Sequence, residues 1–172
     1  MNDELRAVAV MAGAPGPTHA RLVEFARSVY EVAIPKQYDV AICGVGFPKD
    51  ANLYQATRGA SNLHFGPRPV LRPGGIYIVP ARCQEGAGEG VGEQRFFRSL
   101  SEAPNVAYVL EDGRKHGYPP GQQRSFVMAK LLERNQVIFA ATECPDVVTA
   151  CKMRAAENVE AALELAARDL GP

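Results

Sequence analysis

A single α/β domain of three layers, α/β/α, around a mainly parallel sheet is the fold class this sequence predicts. Two observations carry it. Apolar runs rich in Val, Ile and Ala stand at residues 7–12, 39–44, 75–81 and 137–142, with a weaker fifth at 106–110. These runs are continuous rather than alternating, as suits strands buried on both faces. Helical stretches fill the intervals, and strand–helix alternation at this spacing implies right-handed crossovers of the flavodoxin- or Rossmann-like kind.

Each element has its own local warrant. Residues 18–30 place Leu22, Val23, Phe25, Ala26 and Val29 mostly on one helical face, with Thr18 as the expected N-cap. After the run at 39–44, Gly44 and Gly46 permit a tight turn, Pro48 fixes it, and either Asp50 or Asn52 can cap a helix over 53–60. Helices are expected over 93–100 and 126–133. A long Ala-rich helix is expected over 145–169, with Pro145 near its start and Gly171 just past its end. The Gly/Pro-rich stretches 66–75 and 84–92 read as loops entering and leaving the third strand. Composition gives no reason to divide residues 1–172 into two domains.

The bulk properties narrow the function classes. With 172 residues the chain can bury a proper core. Apolar residues at 47% and charged residues at 22% describe a globular protein. Lys+Arg and Asp+Glu are 19 each, so no net field favours nucleic acid or an anionic membrane. No apolar stretch is long enough to span a bilayer, and the acidic start Met1-Asn-Asp-Glu is unlike a signal peptide, so no membrane association and a cytoplasmic location are expected. Cys43, Cys83, Cys144 and Cys151 show no zinc spacing. They read as small buried hydrophobes, with Cys43 and Cys83 near strand ends where they could approach each other.

Three stretches could carry chemistry. In the first, Tyr54 and Arg58 are i,i+4 and Gln55 and Arg58 are i,i+3, so the three can form a donor-rich patch at a helix start. That suits a carboxylate or phosphate, although the same pattern fits an exposed helix start with a solvated Arg58. The second, Gly86–Gly92, follows a strand and opens a helix, as a phosphate cradle does. It lacks both the dinucleotide and the P-loop spacing, and Glu85, Glu89 and Glu93 would repel phosphate. In the third, residues 112–124, His116 is a general base or a solvated loop residue, and Gln122 and Gln123 can face the same ligand as the first patch. No self-sufficient catalytic set is present, and no metal site is expected.

Several blocks resemble one family. A helix ending Phe25-Ala-Arg-Ser-Val-Tyr-Glu-Val is followed by Tyr38-Asp-Val-Ala-Ile and then by Gly46-Phe-Pro-Lys-Asp-x-Asn-Leu-Tyr-Gln-Ala56. Pro73-Gly-Gly-Ile-Tyr-Ile, Cys83-x-Glu-Gly-x-Gly88 and Gln122 with Met128-Ala-Lys-Leu-Leu132 complete the set. Over residues 19–132 the chain thus resembles the C-terminal domain of the nickel-dependent lactate racemases. The resemblance implies part of a two-domain enzyme. The N-terminal domain, absent here, would tether the nickel-pincer nucleotide and carry the catalytic histidines. Hydride would leave C2 of a small 2-hydroxy acid for the cofactor ring and return to either face. No catalytic residue and no cofactor would then belong to this chain alone, which would be inactive by itself and partnered by that N-terminal domain.

The resemblance places Tyr54, Gln55 and Arg58 against substrate carboxylate and cofactor, where the family pattern is Tyr-Gln-x-x-Lys. Arg58 departs from it, keeping the charge but changing the geometry. Gln122 and Gln123 are carried over as further binding residues, Gln123 falling near a pocket-lining tryptophan of the lactate enzymes. The alternative reading is a stand-alone binding module for a small carboxylate or nucleotide, without catalysis.

Overall fold

The structure is a computed structural model describing residue 4 and residues 6–171. The chain divides into two compact units, residues 1–35 and 36–172, each described by itself. The first holds helix α1 (Pro15–Tyr30), which begins with Pro at its first turn and ends with the Glu31 N–H bonded to the Arg27 carbonyl. Its N-cap is Ala14, which offers no side-chain oxygen; the expected cap Thr18 lies inside the helix. Residues 7–12, expected as the first strand, carry no strand. Every strand of the described sheet lies in the second unit.

That sheet has four parallel strands in sequential order, β1 (Tyr38–Ile42), β2 (Leu71–Pro80), β3 (Gln136–Ala140) and β4 (Arg154–Ala156). Between β1 and β2 lie α2 (Leu53–Ala56) and α3 (Arg58–His64). Between β2 and β3 lie α4 (Val91–Ser101), α5 (Val106–His116) and α6 (Gln123–Leu132). Helix α7 (Pro145–Ala150) precedes β4, and α8 (Val159–Leu170) follows it.

The pleat sorts the core into two layers. Tyr77, Val79, Val137 and Phe139 point to one face and pack with Leu53, Phe96, Leu110, Met128 and Leu131. Ile76, Ile78, Ile138 and Ala140 point to the other, against Ala162 and Ala166 of α8. Those two alanines, i and i+4 on one helix face, leave α8 a small-residue surface toward the sheet. The three-layer α/β/α expectation therefore holds, with a sheet that is parallel throughout.

Three local expectations need correction. Residues 106–110 are not a strand but the start of α5. Asn105 caps it by accepting from the Tyr108 N–H at 2.9 Å, and Val106, Val109 and Leu110 recur at i, i+3, i+4 toward the core. The long helix over 145–169 is instead α7, β4 and α8. Lys152 takes a φ of +64, which ends helical continuation, and residues 154–156 then pair with β3. The start signal Pro145 and the stop signal Gly171 are both real, but they belong to different helices. The loop expected over 66–75 ends early, since β2 begins at Leu71. Among the described residues no helix is long and apolar enough to cross a membrane.

Candidate functional site

The turn after β1 is built at the carboxyl edge of the sheet, where open α/β sheets bind ligands. Gly46 takes a φ of +66, the Phe47–Pro48 peptide is cis, and Lys49–Ala51 form a single 3-10 turn. Asn52 then caps α2, its Oδ1 accepting from the Gln55 N–H at 3.0 Å. The helix expected over 53–60 is two short helices meeting at Thr57, whose hydroxyl donates to the Tyr54 carbonyl at 2.8 Å. Gly59 presses α3 against the end of β1, where a Cβ would come within 2.8 Å of the Cys43 carbonyl oxygen.

The loop after β2 clamps this turn. Leu53 N–H donates to the Gly86 carbonyl, Cys83 N–H to Asp50, and Glu85 N–H to Ala51, all between 2.8 and 2.9 Å. The Asn52 amide also reaches Glu85 Oε2 at 3.2 Å. The glycine-rich stretch is thus a brace rather than a phosphate cradle. Its Gly90 N–H donates to Glu93 Oε2 at 2.8 Å, so a carboxylate of the chain already occupies the helix start, and Gln94 Nε2 holds the Gly88 carbonyl.

On this frame Arg58 Nε donates to Gln55 Oε1 at 2.8 Å, and the Arg58 guanidinium lies 5.9 Å from the centroid of the Tyr54 ring. Tyr54 is fixed edge-to-face on the fully buried Phe96, centroids 5.6 Å apart. The expected patch of Tyr54, Gln55 and Arg58 is therefore brought together, and all three residues are half-buried. A fourth member comes from α6. The Arg124 guanidinium also lies 5.9 Å from the Tyr54 centroid, and its Nη1 donates to Ser61 Oγ at 2.9 Å. Burial first, and then the like charge of Arg58, disfavour the charged form of Arg124. No carboxylate pairs with either arginine among the described residues.

The other expected residues sit elsewhere. Gln122 stands at the N-terminal boundary of α6 without a side-chain capping bond, and lines an open hollow of about 600 Å³ with Arg95, Arg98, Tyr108 and Asp112. Gln123 is exposed, and no described hydrogen bond joins either glutamine side chain to Tyr54, Gln55 or Arg58. His116 is on α5 rather than in a loop, its Nδ1 hydrogen-bonded with Asp112 Oδ1 at 2.9 Å on the surface. Sequence reading missed Arg124 as a site residue, because only tertiary folding sets it beside residues more than sixty positions away.

A second polar cluster stands at the same sheet edge. Cys83 lies beside Cys144 rather than Cys43. The Cys83 thiol hydrogen-bonds Cys144 and, aided by the Thr142 hydroxyl, pulls the Cys144 thiol down to about 6. Cys83 is pushed up by that same bond and by burial. Cys43 and Cys151 are raised to about 12 by burial, as inert core thiols are. Asp50 Oδ1 is buried with no hydrogen-bond partner among the described residues. No group of three His, Cys, Asp or Glu side chains gathers as a metal-ligand set among the described residues.

Residues 34–172 match the family model described as the lactate racemase C-terminal domain. The chain belongs to that family. It is 27% identical over 133 residues to the lactate racemase of Thermoanaerobacterium thermosaccharolyticum, covering 77% of this chain and 30% of that protein. It is 25% identical over 171 residues to the lactate racemase of Lactiplantibacillus plantarum, covering 96% and 38%. The structure of the lactate racemase apoprotein from Thermoanaerobacterium thermosaccharolyticum superposes with a TM-score of 0.74 at 25% identity, over 90% of this chain and 36% of that one. The chain thus spans about a third of the length of these lactate racemases.

Proposed function

We propose that this chain is the C-terminal wall of the substrate and cofactor cleft in a 2-hydroxyacid racemase or epimerase of the nickel-pincer type, inactive by itself and completed by an N-terminal domain. The observation that carries the reading is Arg58, oriented by Gln55 and free of any acidic partner among the described residues. A guanidinium held this way offers its two terminal nitrogens to a carboxylate as a fork.

The cofactor fits this wall in one respect. The unpaired Arg58 can meet an anionic group, while the metal ligands and the nucleotide tether would come from the N-terminal domain. When bound, the nickel-pincer nucleotide would supply the hydride acceptor. The residues of this chain bind and orient. Arg58 would hold the substrate carboxylate, and the Gln55 amide nitrogen, which has no described partner, would donate to the same carboxylate or to the cofactor. Tyr54, packed on Phe96, would form the apolar floor that limits water around them. Gln122 and Gln123 would act only if cleft closure brings the start of α6 to the ligand.

The test is a panel of 2-hydroxy acids given to this chain together with its N-terminal domain, loaded with the nickel cofactor. Chiral chromatography of the products should show each enantiomer of at least one acid converting to the other, with no conversion by residues 1–172 alone. A loaded two-domain protein that interconverts none of the panel overturns the reading.

A further inference from the structure

Arg58 and Arg124 pose an electrostatic problem that the carboxylate of a simple 2-hydroxy acid only half solves. Both guanidiniums stand over the same Tyr54 ring, each 5.9 Å from its centroid, and burial first, then the charge of Arg58, disfavours charge on Arg124. Both are half-buried, which weakens screening by water. A tyrosine face attracts a cation but does not neutralise it. The remaining contacts are neutral acceptors, Gln55 Oε1 for Arg58 and Ser61 Oγ for Arg124.

Each arginine also has its own fixation. Arg58 is set by α2 through Gln55, and Arg124 is set by α3 through Ser61, which is itself buried. Arg58 keeps both terminal nitrogens without a described partner, and Arg124 keeps Nε and Nη2. Two separately held forks suit two carboxylates better than one. An open hollow of about 410 Å³, lined by Ser61, Asn62, Phe65, Arg124 and Val127, gives the Arg124 side room for the second group.

We infer that this cleft wall takes a 2-hydroxy dicarboxylate, with Arg58 on the carboxylate next to the hydroxyl-bearing carbon and Arg124 on the distal one. The inference rests on the reading of the Tyr54–Arg58 turn as the substrate wall and names the substrate class that wall selects. Arg124 is then the specificity-determining residue.

The probes are malate and lactate, titrated into this chain at low ionic strength and followed by amide chemical shifts. Malate should bind at least about tenfold more tightly than lactate, as a second charge-assisted fork requires. Arg124→Gln should weaken malate far more than lactate, closing most of the gap between the two acids. Arg58→Gln should weaken both. Arg124→Lys, which keeps the charge and loses the fork, should give an intermediate preference and serves if the glutamine variant does not fold. Equal affinities, a malate preference that survives Arg124→Gln, or no binding of either acid overturns the inference. The racemase reading fails separately. A loaded two-domain protein that racemises lactate but not malate keeps that reading and removes this inference. Malate preference in a protein that racemises nothing does the reverse.

Discussion

Arg124 donates through Nη1 to Ser61 Oγ across 2.9 Å, joining the first turn of α6 to the middle of α3. Ser61 is buried, so the bond is shielded from water and holds the guanidinium beside Tyr54. Ser61→Ala should cost about 1 kcal/mol in urea denaturation, the net worth of one such bond. It should also broaden the Arg124 side-chain resonances as the group loses its anchor. Sharp resonances unchanged from the parent would show that Tyr54 alone holds Arg124.

Gly59 should tolerate no side chain. A Cβ there meets the Cys43 carbonyl oxygen at 2.8 Å and the Val45 side chain at 3.3 Å, and the carbonyl belongs to backbone at the end of β1. Gly59→Ala should destabilise by about 1–3 kcal/mol by overpacking, although alanine favours a helix interior by about 1 kcal/mol. A stabilised variant would place α3 farther from β1 than the structure does.

Asn52 works at both ends of its amide, accepting from Gln55 N–H and donating to Glu85. Asn52→Ala should cost about 1 kcal/mol from the lost cap alone. Asn52→Asp keeps the cap but sets a carboxylate against Glu85, so its stability deficit should grow as pH rises above the carboxylate range. Thermal melts of the two variants between pH 4 and 8 decide the matter (probe range set by ordinary carboxylate values, about 4).

The thiols set a pH profile. Cys144, pulled down to about 6 by Cys83 and then Thr142, should react with iodoacetamide near neutral pH, faster than Cys43 or Cys151. Cys83→Ala should move that reactivity to higher pH. The sign for stability follows from the folded values. The lowered Cys144 contributes stability that is lost as pH falls, while Cys83, raised by the same bond, contributes stability that is lost as pH rises. Raised Cys43 and Cys151 contribute stability present below 9.0 and lost as pH rises through about 12. Equal alkylation of all four thiols at pH 7 would contradict the assignment.

β1, β2 and β3 were legible because continuous Val/Ile runs at 39–44, 75–81 and 137–142 have no other stable home. β4 was not, since Arg154-Ala-Ala156 has no apolar run and is extended only because β3 offers it a ladder. The apolar run at 7–12 shows the converse, being strand-like in composition yet carrying no strand. Within the site, Tyr54, Gln55 and Arg58 were legible because helical spacing and a local Asn cap determine their grouping. Arg124 was not, because its place beside Tyr54 depends on how α6 packs near α3.

The most direct test of the account is kcat/KM for Arg58→Ala in the cofactor-loaded two-domain protein, acting on its best 2-hydroxy acid. Loss of a charge-assisted contact of roughly 1.5–3 kcal/mol should lower it by more than about tenfold, with Arg58→Lys recovering part of the loss. An Arg58→Ala protein with its fold intact and kcat/KM unchanged would remove Arg58 from the site and contradict the account.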